Sequence, residues 1–314
     1  MEERAYAALL GWFTGDGFGS QSEGRDEQEL SLLAPEGLTE VYTLESIYEL
    51  CGMSGEVSDL SVVLALSMLD NKALLADHVK ASYRRYVKCE GAELSPTLVS
   101  SLEKEASASE SALILSRSLV MGLALLGKPP KRQRQLSNLE SSLFSTSALA
   151  QDAALLMSLA FSLTISEKAV DAFTLVGLLQ QMCAKLALDE RLCQMLKTCS
   201  SRTEGMHYEG KLQTMVLPVL DTVFSTLLLS ESYESGVRLL ASHGGNSRLC
   251  CALYGGLAAS LEGSVAVPEH WIDELFVSGA LDSTIKKQTL FKRETIKMEK
   301  LARTLATSLL ELEI

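Results

Sequence analysis

Residues 244–263 read GGNSRLCCALYGGLAASLEG, and this stretch decides the fold. Small and apolar residues follow a helical pattern from Leu249 to Leu257, with Gly255 and Gly256 inside the pattern. Glycines at such positions permit a second helix to approach closely. The polar run 246–248 comes at the first turn, where unpaired backbone N–H groups favour an anion. The stretch therefore predicts a tightly packed helix with a functional N-terminus.

Composition bounds the class of protein. The chain has 314 residues, 47% of them hydrophobic and only six of them proline, which is enough for a large helical core in one domain. Its formal net charge of −12 argues against nucleic-acid binding, because that requires a basic surface. No run is judged long and apolar enough to span a membrane, and the acidic N-terminus is unlike a secretory signal. We therefore expect a cytoplasmic protein.

The seven cysteines indicate neither a disulfide scaffold nor a zinc site. Their number is odd, and most lie within apolar helical patterns. Buried free thiols are the simplest interpretation. No Cys-x-x-Cys pair stands with a matching pair of histidines, so zinc is not expected.

The first helix is predicted over Ala5–Gly19 and ends in a glycine-rich turn. Gly11 and Gly15 are four residues apart, a spacing that lets another helix approach on that face. Asp16 follows directly. From the residues alone it is either a group that hydrogen-bonds nearby backbone or a site residue.

A second helix is predicted from Gly55 to Leu69, because Val63, Leu66 and Leu69 give a wide apolar face. Ser58 is predicted as its N-cap, and Asp59 suits the first turn. It is an equally good interpretation that Ser58 and Asp59 only begin the helix and bind no ligand.

These segments resemble the ADP-ribosylglycohydrolase family, and the resemblance extends to about residue 276. The family's opening motif G-x-x-x-G-D-x-x-G is matched at residues 11–19, and its late G-G-D-T-D-T motif falls on residues 244–249. The resemblance implies an all-α fold, a single-domain orthogonal helical bundle over residues 1–283. Residues 284–314 are predicted to form a C-terminal amphipathic helix that packs on the domain or on a partner. Its apolar stripe comprises Leu301, Leu305, Leu309 and Leu312.

The resemblance also implies a ligand pocket. In the family, an S-N-G-x-x-M-R segment lines the pocket for ADP-ribose, and Ser137 and Asn138 match its first two letters. The residues that the resemblance assigns to an ADP-ribose-like ligand are Asp16, Ser137, Asn138, Gly244 and Gly245.

Active members of the family resemble binuclear magnesium hydrolases, and this chain departs from them at the metal ligands. The degenerate remnant of the metal site comprises Ser58, Asp59, Asn246, Ser247 and Arg248. Leu60 and Leu249 replace an acid and a threonine and offer no oxygen, whereas Mg²⁺ requires oxygen ligands. Arg248 brings a permanent positive charge. We therefore expect Arg248 to substitute for the metal by pairing with Asp59.

Three functions are compatible with this sequence. The preferred hypothesis is a pseudoenzyme without a cofactor, which binds an ADP-ribose-like ligand or an ADP-ribosylated partner. The alternative is an active hydrolase that removes ADP-ribose with a remodelled magnesium site. A third is an interaction protein that has no small ligand and binds a partner through its C-terminal helix or its basic segment 127–135. The C-terminal helix could also join two copies of the chain. The basic segment is predicted as an exposed loop.

Overall fold

The computed structural model describes residues 1–41, 51–89, 95–103, 106–201, 214–287 and 296–313. Within these ranges the chain forms sixteen α-helices, and β-pairing is confined to isolated bridges, so the predicted all-α fold is confirmed. The helices are α1 Glu2–Gly19, α2 Glu27–Leu33, α3 Glu56–Asn71, α4 Ala76–Tyr86, α5 Pro96–Glu103, α6 Ser118–Ala124, α7 Pro130–Ser141, α8 Ala148–Ile165, α9 Ala172–Leu186, α10 Glu190–Ser200, α11 Val216–Leu229, α12 Tyr233–Ser242, α13 Ser247–Glu262, α14 Glu269–Asp273, α15 Gly279–Ile285 and α16 Met298–Leu310. Short 3₁₀ segments are Ser20–Ser22, Ala112–Arg117 and Ser264–Ala266.

Helices α1 and α13 form the centre of the molecule. Every residue of α1 from Ala5 to Gly19 is buried, and α13 is buried from Leu249 to Ser260. The other helices surround this pair: α12, α11 and α8 pack on α13, and α16, α12 and α8 pack on α1. Helices that are apolar all round are expected in the interior of a large domain.

Small residues bring the backbones of α1 and α13 into direct contact. A β-carbon at Gly15 would lie 2.2 Å from the carbonyl oxygen of Cys251, and one at Gly11 would lie 2.3 Å from that of Gly255. One at Gly19 would lie 2.7 Å from the carbonyl oxygen of Ser247. The positions rise along α1 as they fall along α13, so the helices are antiparallel. The prediction that Gly11 and Gly15 admit a close neighbour is confirmed.

Among the helices that the structure describes, one is long and apolar enough to cross a membrane by length and composition, contrary to the expectation from the sequence. This is α8, of which 83% is buried inside the domain. A core helix of a soluble protein has the same length and composition, and its burial against α6, α7 and α13 is that of a core helix.

The C-terminal segment differs from the single long helix predicted over residues 284–314. Helix α15 ends at Ile285 and α16 begins at Met298, with non-helical described residues on both sides of residues 288–295, which lie outside the described ranges. Leu301, Leu305 and Leu309 are buried. Helix α16 packs on α1, α3 and α6 of its own chain.

The basic segment 127–135 was predicted as an exposed loop, but only residues 127–129 are non-helical, and the rest is the start of α7. Pro130 stands at the first turn of α7, where its fixed φ and missing N–H are tolerated, and the helix continues through Lys131, Arg132 and Arg134. Arg134 forms an ion pair with Asp152 of α8 at 2.8 Å. Arg134 therefore helps to attach α7 to the core, whereas Lys131 and Arg132 are exposed.

The α1–α13 contact gives a first prediction. We expect Gly15→Ala to destabilise the protein by about 3 kcal/mol or more, because the helices must separate where backbone meets the new methyl group. Gly177→Ala is the matched control: Gly177 lies within α9, and no described atom beyond its own helix lies within 4 Å of the new methyl. That control should gain up to about 1 kcal/mol of helix propensity. Urea unfolding midpoints measure both, and equal effects would refute the contact.

Candidate functional site

Asp16 joins the ends of three helices. It is fully buried near the C-terminal end of α1. Its Oδ2 accepts hydrogen bonds from the backbone N–H of Gly55 at 3.0 Å and of Ser58 at 3.3 Å, at the start of α3. Its Oδ1 accepts a hydrogen bond from Arg248 of α13 at 2.9 Å. One carboxylate therefore satisfies donors from two other helices.

The N-cap predicted at Ser58 is wrong. Helix α3 begins at Glu56 with Gly55 as its N-cap, so Ser58 is the third helical residue. Asp59 does lie in the first turn. The capping carboxylate comes from Asp16, 39 residues earlier than Gly55, because the first N–H groups of a buried helix need an acceptor.

Arg248 pairs with Asp16, not with Asp59 as was predicted. Its Nη1 donates to Asp16 and to the carbonyl oxygen of Met53, the latter at 3.1 Å. Burial lowers the pKa of Arg248, but the charges of Asp16, Glu23 and Asp59 raise it above its ordinary value. The guanidinium is thus a permanent cation in a mostly buried position.

Gly55 makes room for this guanidinium. A β-carbon at Gly55 would lie 2.3 Å from Nη1 and 2.7 Å from Cζ of Arg248. The arginine therefore packs directly on the backbone that precedes α3. Any side chain at position 55 would displace it.

Asp59 is surrounded by hydroxyl groups. Its Oδ1 accepts from Ser54 at 2.6 Å, and its Oδ2 accepts from Tyr86 at 2.5 Å and from Ser278 at 2.6 Å. Burial raises the pKa of Asp59 to about 6, although these three hydrogen bonds act to lower it. The donors come from α4 and from the two loops that precede α3 and α15, so Asp59 ties these segments together.

Glu23 occupies the N-terminus of α13. Its Oε2 accepts from the backbone N–H of Arg248 at 2.9 Å and from the hydroxyl of Ser247 at 3.3 Å. Burial raises its pKa, although the hydrogen bond from Arg248 opposes that shift. The anion expected at this helix end is therefore a side chain of the protein itself. Glu23 was not predicted as a site residue. The one feature of the sequence that could indicate it is its place as an acid in the turn after α1.

Gly244 and Gly245 form a backbone connection. Their φ angles are +65° and +64°, a region in which residues with a β-carbon are strained. The N–H of Gly245 donates to the carbonyl oxygen of Arg25 at 2.8 Å, and its carbonyl oxygen accepts from Gly24 at 2.7 Å. These bonds hold the turn after α1 against the start of α13.

Ser137 and Asn138 lie on a different part of the bundle. Both belong to α7, which packs on α8 and α4. Ser137 is buried and Asn138 is half-buried. One turn later, Glu140 forms a buried ion pair with Arg117 at 2.5 Å.

A cleft of about 750 Å³ lies beside the N-termini of α3 and α13. Among the ten residues that the sequence analysis assigned to a site, Asn246 lines this cleft in the described structure. Glu23 and Glu56 also line it, and Glu56 accepts hydrogen bonds from the N–H and hydroxyl of Ser95 at 2.9 and 3.0 Å. The full lining is Glu23, Glu56, Ser95, Ala108, Ser109, Glu110, Ser111, Leu113, Thr214, Met215, Asn246 and Leu249.

The residues at this site do not fit a divalent metal. Within the described ranges, no group of three or more His, Cys, Asp or Glu side chains is arranged to hold one. Asp16 and Asp59 are the two aspartates that match the family's motifs, and each already accepts hydrogen bonds on both carboxylate oxygens. Leu60 and Leu249 are buried hydrocarbon. A divalent ion would have to displace the guanidinium of Arg248.

Comparisons with known proteins identify the class of protein that this fold and site define. The ADP-ribosylglycohydrolase family model matches residues 1–306, so the chain belongs to that family. It is similar in fold to a solved structure described as an ADP-ribosylglycohydrolase-related protein complex, with a TM-score of 0.76 and 17% identity. That match covers 100% of this chain and 99% of the other. No curated protein matches the chain.

The Asp16–Arg248 pair gives a second prediction. We expect Arg248→Met to lower stability by about 3 kcal/mol, because it leaves Asp16 charged and buried without its cation. Asp16→Asn should lower stability less in the Arg248→Met variant than in the wild-type protein, because the two residues are coupled. Lys286→Met is the control, because its pair with Asp282 is exposed and worth only about 0.5 kcal/mol. Additive effects in the double-mutant cycle would contradict the pairing.

Asp59 gives a third prediction, about pH. Because its pKa rises from 3.8 to about 6 on folding, the folded state binds more protons between these values. The contribution of Asp59 to stability is therefore full below pH 4 and is lost as pH rises to about 6. Asp59→Asn should remove a pH-dependent change of about 3 kcal/mol in the free energy of unfolding over this range. Denaturant titrations from pH 4 to pH 7 measure it, and parallel curves for the two proteins would overturn the assignment.

Proposed function

We propose that this member of the ADP-ribosylglycohydrolase family has lost magnesium-dependent hydrolysis and acts as a binding or regulatory protein. One observation carries the proposal: the guanidinium of Arg248 is bonded to Asp16 and packs on Gly55. In the family frame, position 248 belongs to an aspartate that serves the metal site. A permanent cation in that position takes over the neutralisation of Asp16.

Electrostatics supports the loss of metal. A unit charge and a divalent ion about 4 Å apart repel by several kcal/mol, even at the effective dielectric constant of a protein surface. Mg²⁺ also needs near-octahedral oxygen ligands, and Leu60 and Leu249 supply none. The internal ion pair therefore stabilises the helix ends in the absence of a metal.

The cleft beside Asn246 is the proposed binding site. Its volume of about 750 Å³ is within the usual range for small-molecule sites. The hydroxyls of Ser109 and Ser111 and the amide of Asn246 offer donors and acceptors suited to a sugar. We propose an ADP-ribose-like ligand, either free or attached to a partner protein, as the occupant. The proposed site lies in a cytoplasmic protein and needs no cofactor.

One observation favours the competing proposal of an active hydrolase. Glu23, Glu56 and Asn246 line the same cleft, and they place two carboxylates where a substrate would enter. A carboxylate whose pKa is raised by burial, as in Glu23 and Glu56, suits general acid–base chemistry. This hydrolase would work without the two family metal clusters or with a remodelled site.

Binding and hydrolysis assays separate the two proposals. We expect ADP-ribose to raise the melting temperature, with a stabilisation of about 2.7 kcal/mol at one hundred times Kd, and Mg²⁺ to leave it unchanged. Asn246→Ala should weaken the ADP-ribose effect, whereas Asn71→Ala, at the far end of α3, is the control. ADP-ribosyl-arginine, ADP-ribosyl-serine and O-acetyl-ADP-ribose are the test substrates. Release of ADP-ribose from any of these substrates would refute the pseudoenzyme, and its loss with a chelator would assign the reaction to a remodelled metal site.

A further inference from the structure

A second pocket lies between α3, α4 and the end of α15. Its volume is about 90 Å³, and it shares no lining residue with the cleft beside Asn246. The part of its lining that the structure describes comprises Val63, Leu66, Ser67, Ser82, Arg85, Cys89, Thr284 and Lys287. The pocket has room for a few water-sized groups.

The polar groups of this pocket are mainly donors. Arg85 and Lys287 supply two cations at its rim, and no carboxylate belongs to its described lining. The guanidinium of Arg85 donates to the hydroxyl of Ser82 at 3.0 Å, which restrains it beside the pocket. The nearest acid along α15, Asp282, is bonded to Lys286 and not to Lys287.

Ser67 adds a hydroxyl without a described protein partner. It is 3% exposed on α3, and within the described ranges its Oγ makes no hydrogen bond. Serines inside a helix commonly donate to the carbonyl four residues earlier, as Ser158 does to Ala154 at 2.7 Å. Ser67 does not, so rotation of its side chain can present a donor to the pocket. Buried hydroxyls are normally paired, and the described residues supply no partner for this one, which indicates an acceptor from a bound group.

We propose that this pocket binds a phosphate-sized oxyanion. Two cations and several hydroxyls match the charge and the acceptor oxygens of a phosphate group, and the wall of Val63 and Leu66 shields one side of it. The pocket is open on one side, so an ester group could project outward. The source is either inorganic phosphate or a small phosphomonoester. The proposal is independent of any ligand in the cleft beside Asn246.

The rate of alkylation of Cys89 can measure whether the pocket is occupied. Its half-buried thiol lies 3.8 Å from the hydroxyl of Thr284, on the pocket wall. Cys193 is the other partly accessible thiol in the described ranges, and it lies on α10, away from the pocket. A bound oxyanion should therefore shield Cys89 from alkylation and leave Cys193 unaffected.

The experiment measures iodoacetamide alkylation of both cysteines by mass spectrometry at constant ionic strength. At a phosphate concentration of about ten times Kd, the rate at Cys89 should fall about tenfold and saturate. Glycerol phosphate in a parallel titration distinguishes the two sources, since the tighter ligand identifies the natural chemistry. Chloride at matched ionic strength is the baseline.

Charge variants decide whether the protection is specific. Arg85→Gln and Lys287→Gln should each weaken protection, and the double variant should abolish it. Lys286→Gln is the matched control, because it removes the same charge from the adjacent position and should leave protection intact. The proposal fails if protection does not saturate, extends to Cys193, equals the effect of chloride or survives the double variant.

Discussion

The direct contact between the backbones of α1 and α13 is the constraint on which the rest of the structure depends. Gly11 and Gly15 have no β-carbon, and without that space the two helices could not approach so closely. Side-chain interdigitation would hold them further apart. The close approach has an electrostatic consequence, because Asp16 follows Gly15 on one helix and Arg248 follows the Ser247 that Gly19 contacts on the other. The charged pair is in register because the glycines are.

The same geometry brings several charges into a buried region, and each one has partners. Asp16 is fully buried and receives two backbone N–H groups and a guanidinium. Glu23, at the exposed edge of the region, receives the N–H of Arg248 and the hydroxyl of Ser247. Burying a charge is costly unless it is paired and hydrogen-bonded. Helix ends supply part of that pairing here, because their unpaired N–H groups carry partial positive charge. The carboxylates in turn accept hydrogen bonds from N–H groups at the starts of α3 and α13.

Local patterns predicted α1, α3 and α13 and the close approach at Gly11 and Gly15, because spacing along one segment determines both. The partner of Arg248 could not be predicted in this way. Asp16 and Asp59 are both acids near the metal motif of the family, and only the packing of three helices decides which of them meets the guanidinium. The prediction of the N-cap of α3 failed for the same reason, because the carboxylate that accepts from the first N–H groups of α3 belongs to α1. Glu23 carries no local pattern that distinguishes it from the other acids in its segment.

The hydrogen bonds of Asp16 and Asp59 support the proposal that this site is stable without a divalent ion. Asp16 is bonded to a cation and to two N–H groups, whereas Asp59 receives three O–H donors. Burial raises the pKa of Asp59 to about 6, and the charge of Asp16 acts in the same direction. A divalent ion bound between Asp16 and Asp59 would have to break hydrogen bonds to both carboxylates and expel the guanidinium of Arg248, so contacts on three helices oppose its binding.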